Sequence, residues 1–483
     1  MNEQQPFRPK ARLPRGFKDR DEAEIAAERR MLDTIRRVFE SYGFAALETS
    51  SLEYADALGK FLPDQDRPNE GVFSFADDDG QWVSLRYDLT APLARYVAEN
   101  FQALPKPFRR YQMGTVWRNE KPGPGRFREF TQFDADTVGS ASPAADAELL
   151  MMMADTLEAL GLTKGDYAIK LNSRKLLDGV LNAAGVDLSK RGTVLRAIDK
   201  FDRLGERGLR ALLGEGRKDE SGDFTHGAGL AHDQIEHIFA CLIRGDEPAV
   251  LEASKDGMTG SEGGWNLSEI SELLYKGGYN DRVKVDPGIV RGLDYYTGAV
   301  FEAQLTFPVT NEAGETVVFG SVGGGGRYDD LVARFTGQTV PAVGFSIGVS
   351  RLLTALKARA GAGTFEINPL VVVLALDKAE IAASFALARE LREGGIRAEA
   401  YVGDAGMKAQ LRYADKRGAA IAVIEGGDER ARGEVTLKDL ALGAELAKAT
   451  ESRAAWTSGR PAQQSVKRSQ FVEAVREMLK GRA

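Results

Sequence analysis

At 483 residues the chain is long enough for two to four domains, and 43% hydrophobic against 28% charged residues is the balance of a soluble globular protein. A net charge of −7 excludes a whole-molecule basic footprint, so DNA is not an expected partner and any nucleic-acid contact must come from local patches. One cysteine excludes an intramolecular disulfide, "MNEQQPFRPKARLPRG" lacks a signal-peptide apolar core, and no apolar run nears the ~18 residues of a membrane span. The expectation is a cytoplasmic protein with no membrane contact.

In chain order, Ile25, Leu32, Ile35, Phe39 and Tyr42 recur at helical spacing and predict a helix over 20–42, stopped by Gly43. Strands follow at 44–49, 71–76 and 82–86. The stretch 108–138 reads as strand, Gly/Pro turn, strand. Ser142-Pro143 opens a helix with a Leu/Met core stripe, ended by Gly161. From 175 to 275 the pattern is helical, rich in Gly and charge and without a convincing strand, which predicts a helical insertion. Strands resume at 283–304 and 316–322, a helix follows over 346–358, and "GAGTFEINP" (361–369) reads as a linker. Apolar strands at 370–376, 396–402 and 420–426 then alternate with helices, as in a small α/β domain with a largely parallel sheet. The tail from 450 ends in a helix carrying Val466, Phe471, Val475 and Leu479.

Four segments invite chemistry. "GIVRGLDYYTGAVFE" (288–302) is strand-like yet holds Arg291, Asp294, Tyr295 and Tyr296 where packing alone would want apolar residues. "SVGGGGRYDDL" (321–331) has no Gly-Lys-Ser/Thr and is not a P-loop; its four glycines mark either a close backbone approach or a tight turn. Between Lys106 and Phe130, seven cations face two carboxylates, a local +5 within a molecule of −7. Arg118 and Glu120 are read on one strand with Trp117, and Arg126, Arg128 and Phe130 on one face of the other. Guanidinium forks on a sheet suit phosphate, although a solvated charged face is the competing reading. His226, His232, His237 and Cys241 lie within sixteen residues, but beyond the i, i+4 pair His237/Cys241 their spacing matches no zinc pattern, so no metal site is expected.

Taken together, these segments resemble the class II aminoacyl-tRNA synthetases and, among them, the histidyl-tRNA synthetase family. "YQMGTVWRNEKPGPGRFREFTQFDAD" is similar to the second class motif and "GFSIGVSRLL" (344–353) to the third. "RGLDYYTG" and "GGGGRYDDL" resemble the segments that single out the histidine family, and "LRYDLTAPLARY" (85–96) and "GEVTLKDL" (433–440) fit it too. The likeness runs from about residue 10 to 445. It implies an α+β catalytic domain, an antiparallel sheet flanked by helices, with the helical insertion, and a C-terminal α/β domain that binds the anticodon. The resulting domains are 1–174 and 276–360 for the two catalytic parts, 175–275 for the insertion and 361–483 for the anticodon domain with its tail helix.

The resemblance further implies ATP-dependent ligation of L-histidine to tRNA(His) through a histidyl adenylate, with ATP and Mg²⁺. It implies a homodimer whose interface uses "YGFAALETSSLEY". Arg118 and Arg291 would hold the α-phosphate, and Arg351 the γ-phosphate and adenine. Phe130 would stack on the base, Glu120 would bond its amino group and Arg126 would meet the outer phosphates. Asp88, Thr90, Gln132 and Asp136 would bind the histidine amino group and orient its side chain; Tyr295 and Tyr296 would line the imidazole pocket, with Arg291 at its edge. A pocket built to bond imidazole N–H groups rejects isosteres well, so no editing domain is expected. Ser350 stands where the third motif usually has Glu. A non-catalytic regulatory subunit or histidine sensor is the alternative. The seven cations of the tail suggest tRNA contact, against a helix that merely packs on the α/β domain.

Overall fold

The computed structural model describes residues 9–58, 71–122, 127–218, 223–244, 257–290, 296–310, 316–360, 368–376, 381–440, 442 and 462–480. The chain divides into two units, Met1–Ala362 and Gly363–Ala483.

In the first unit the predicted leading helix spans Glu22–Ser41, with Met31, Ile35 and Phe39 buried. The Asp21 carboxylate caps it by accepting from the Glu24 N–H at 2.8 Å. Gly43 follows at φ 81°, a left-handed turn that a side chain would strain. Phe39 then packs edge-on against Phe133 and Phe345, which pins the helix to the non-cavity face of the central sheet.

That sheet has eight strands: β1 (Ala45–Ala46), β5 (Phe108–Trp117), β6 (Glu129–Val138), β7 (Tyr167–Ser173), β10 (Val283–Val285), β11 (Ala299–Thr310), β12 (Thr316–Arg327) and β13 (Ala342–Gly348). Their order is β1-β5-β6-β13-β12-β11-β7-β10. The six inner strands are antiparallel, and only the edge pairs β1/β5 and β10/β7 are parallel. A smaller sheet, β2 (Leu52–Tyr54), β4 (Trp82–Leu85) and β3 (Ser74–Ala76), lies in that order.

The glycine run settles into strand rather than turn. Gly323 to Gly326 lie inside β12, hydrogen-bonded on both sides, and none of them has positive φ. A Cβ on Gly325 would sit 2.0 Å from Gly344 O, and one on Gly326 2.5 Å from Ala299 O. Close backbone approach, not a tight turn, is what Gly323, Gly325 and Gly326 serve. At the end of β12, buried Arg327 pairs with Asp146 and donates to Ser140 O at 2.8 Å and Ser142 O at 3.2 Å. It thereby ties the strand to the start of helix Pro143–Ala159, whose cap is Ser142.

Between 174 and 238 helices Arg174–Ala183, Leu188–Ile198, Phe201–Leu213 and His232–Ile238 pack around Val194, Leu209, Ile238 and Phe239. The expectation of no strand there is corrected: β8 (Gly216–Lys218) and β9 (Phe224–His226) form a hairpin. Three-residue strands flanked by Gly216 and Gly227 carry too little periodicity to be read.

In the second unit β14 (Val371–Val373), β15 (Ala398–Ala400) and β16 (Ile421–Ile424) are parallel, as predicted. Antiparallel β17 (Glu434–Asp439) and β18 (Gln463–Lys467) extend the sheet to β15-β14-β16-β17-β18, so it is mixed. Val466 therefore belongs to a strand, and the last helix is Phe471–Leu479. Phe471 and Val475 are core residues. Arg468 pairs with Glu390 at 2.7 Å and Glu425 at 3.3 Å, and Arg476 donates to Gly394 O at 3.0 Å. The described part of the tail is thus built into the α/β unit, which favours packing over tRNA contact; Arg453, Arg460 and Arg482 lie outside the described residues.

Candidate active site

The site is laid out by strand alternation. Gln132, Asp134 and Asp136 project from one face of β6, at positions i, i+2 and i+4. Register then aligns two rows across the sheet. Gln112, Asp134, Ser346 and Gly324 form one; Arg110, Asp136, Gly344 and Gly326 form the other. The glycines keep this face low, since a Cβ on Gly344 would fall 1.9 Å from Asp136 Oδ1. The cleared face is the floor of a cavity of about 200 Å³.

The walls come from four other segments. Tyr87, Asp88 and Thr90 lead into helix Thr90–Asn100, where Asp88 Oδ1 accepts from the Ala91 N–H at 3.0 Å. Arg118 and Glu120 stand just past the end of β5, and Tyr296 and Tyr328 close the far side. Arg118 Nε donates to Tyr87 O at 3.1 Å, and its guanidinium lies 5.2 Å from the Phe130 ring centre. A backbone anchor on one side and an aromatic face on the other hold that cation at the cavity edge.

Beneath the floor, Arg110 and Asp136 are an ion pair 2.9 Å apart, at most 2% exposed. Arg110 Nη2 also donates to Leu89 O at 3.0 Å, and the Tyr328 hydroxyl donates to Asp136. Burial raises the Asp136 carboxyl above its ordinary range, against the pull of Arg110 and Tyr328. The Tyr328 hydroxyl is raised well above its ordinary value, by burial and then by the Asp136 charge. Burial, and next the Asp136 charge, push Asp134 up to about 8.

Of the residues the sequence singled out, Asp88, Thr90, Arg118, Glu120, Gln132, Asp136 and Tyr296 come together around this cavity. Phe130 and Arg351 do not line it: Phe130 contacts Arg118, and Arg351 is exposed at the start of helix Val349–Ala360. Arg126, Arg291 and Tyr295 lie outside the described residues. The cationic hairpin proves less of a phosphate surface than its composition suggested. Arg109 pairs with Glu148, Arg110 is buried on Asp136, and Arg128 Nε donates to Glu120 O at 2.9 Å. Ser350 Oγ accepts from the Thr131 N–H at 3.2 Å, joining the third-motif helix to β6.

Asp134, Ser346 and Tyr328 were missed. Period-two spacing in "QFDADT" was the available signal for Asp134, and Tyr328 sat inside a quoted segment without a role. Cys241 Sγ lies 3.6 Å from His237 Nε2 in the insertion core, and among the described residues no group of three or more His, Cys, Asp or Glu is arranged to hold a metal.

Residues 16–352 match the model of the histidyl-tRNA synthetase family, and residues 370–478 match that of the anticodon binding domain. The chain is 57% identical over 486 residues to a histidine–tRNA ligase of Brucella suis, across 98% of this chain and 97% of that one. It is 57% identical over 495 residues to that of Rhizobium meliloti, across 99% and 98%. The crystal structure of histidyl-tRNA synthetase from Nostoc sp. PCC 7120 superposes with a TM-score of 0.69 at 26% identity, over 97% of this chain and 100% of that one. Sequence likeness over nearly the whole chain, the same fold, and a cavity floored by the second- and third-motif strands agree: the chain belongs to the histidyl-tRNA synthetase family.

Proposed function

We infer that this chain ligates L-histidine to the 3′ end of tRNA(His), with ATP consumed to form a histidyl adenylate first. The observation that carries the inference is the cavity, where one anchored guanidinium, Arg118, faces a floor of buried carboxyl and amide groups. In this reading the histidine carboxylate attacks the α-phosphate, the P–O bond to pyrophosphate breaks, and Arg118 with Arg291 holds the charge on the phosphoryl oxygens. Phe130 and Arg351 flank adenine, Glu120 bonds its amino group, and Arg126 meets the outer phosphates. Asp88 and Thr90, with Gln132 and Asp136, take the amino group and orient the side chain, while Tyr295 and Tyr296 line the imidazole pocket. The tRNA ribose then displaces AMP.

Among the described residues the donor set makes no resident metal site, so Mg²⁺ is read as arriving with ATP as part of the substrate. The second unit is assigned to the anticodon, in line with its family match. A homodimer is supported by Leu52, Tyr54 and Phe75, which share one face of the small sheet and are 42%, 56% and 51% exposed. No helix among the described residues is long and apolar enough to cross a membrane, and a lone buried thiol suits the cytoplasm. The regulatory alternative predicts erosion of the site arginines and loss of the anticodon unit. Arg118 lines the cavity and residues 370–478 match that unit.

Amino-acid-dependent exchange of pyrophosphate into ATP tests the reading. Exchange should require histidine and be silent with the other nineteen amino acids. Silence with histidine would overturn it.

A further inference from the structure

Asp134 sits on the cavity floor, yet none of the roles above uses it. It is 2% exposed, and its Oδ1 meets no hydrogen-bond donor of the protein. Gln132 Oε1, two residues earlier on the same face, is equally buried and equally unmet, because the Gln132 amide is turned so that Nε2 donates to Ser346 Oγ at 2.6 Å. Two orphaned buried acceptors side by side are costly in a finished fold. They make sense where a ligand brings the donors. An ammonium group brings three N–H bonds, and Asp88 lines the same cavity as a third acceptor.

We propose that Asp134 is a further amino-acid-binding residue, its Oδ1 accepting one N–H of the substrate's ammonium group beside Gln132 Oε1 and Asp88. The proposal rests on the functional reading above and deepens it. The groups that face Asp134 are accounted for. Asp136 follows on its own strand and raises it, Asp88 raises it further, and Arg110 on β5 and Ser346 on β13 pull it down. Arg86 is held elsewhere, donating to Thr115 O and Thr49 O at 2.9 Å each. With its carboxyl pushed up to about 8 by burial, Asp134 holds its proton at neutral pH before substrate binds. When the ammonium docks, the carboxyl O–H bond breaks, its proton passes to water, and the carboxylate left behind pairs with the cation. Histidine uptake is therefore coupled to release of one proton from the protein.

The test is Asp134→Asn, which keeps shape and removes charge, assayed by pyrophosphate exchange and by calorimetry. The KM for histidine should rise at least about tenfold while the KM for ATP stays within about twofold. Titration with histidine at pH 7, in two buffers of different ionisation enthalpy, should show close to one proton fewer released than in the wild type. An unchanged histidine KM overturns the proposal, as does a parallel rise in both KM values, which marks a merely structural role. Infrared difference spectra of the wild-type protein give a reading that needs no variant: adding histidine at pH 7 should remove a protonated-carboxyl band, and its persistence overturns the proposal. Wild-type protein without histidine-dependent exchange would instead sink the functional reading, so the two failures are told apart.

Discussion

At the scale of single residues, the cavity floor trades stability for a site. Asp134 has a folded-state value near 8 against about 4 unfolded, so between those limits the folded chain binds more protons than the unfolded one. Its stabilising balance is thus best at low pH and erodes as pH rises from about 4 to about 8. Asp134→Asn abolishes that titration. Its thermal midpoint should match the wild type near pH 4 and exceed it by several degrees at pH 8 and above, measured by calorimetric melts across that range. A constant offset at all pH values would contradict the assignment. Arg110 teaches a related lesson. Counted in the sequence only as one of the hairpin's seven cations, it is fully buried and paired with Asp136. The sign and number of charges were legible; which of them would be desolvated was not, because burial depends on strands that arrive much later in the chain.

Among the elements, β12 and β13 are held together by what they lack. A methyl on Gly325 would meet Gly344 O at 2.0 Å and the Phe345 backbone at 2.6 Å, so the strands would have to part. Gly325→Ala should therefore lower the stability of the first unit by about 1–3 kcal/mol, read from denaturant midpoints, and impair exchange. Gly427→Ala, where nothing lies within 4 Å of the added carbon, is the control and should be near neutral. Equal effects from the two would refute the close-approach account. The hairpin β5–β6, the Ser142-capped helix and the parallel strands of the second unit were readable because turn residues, caps and apolar runs are local signals. The glycine strand was not, since its conformation is dictated by partners on both sides. Nor was β18, a polar strand of "QQSVK" with no period-two pattern to announce it.

For the whole molecule, the proposed dimer makes a direct prediction. Tyr54→Arg places a charge among Leu52, Phe75 and Val83 on the exposed face of the small sheet. Sedimentation should then shift toward a monomer and exchange should fall. A dimer that persists at low micromolar concentration would exclude that face.

The order of the central sheet carries a last consequence, one of time. β6 bears Gln132, Asp134 and Asp136, and its inner neighbour β13 is encoded about 200 residues further on. At roughly 5–20 residues per second of synthesis, that edge of β6 waits about 10–40 s on the ribosome before its partner exists. During the wait the nascent chain exposes a row of unpaired backbone groups beside acidic side chains. Between 106 and 138 seven cations outnumber four carboxylates, so a second nascent hairpin of the same kind is repelled by like charge. The cations that give the hairpin its local positive charge are thus also the ones that keep the unfinished sheet from pairing with a second copy.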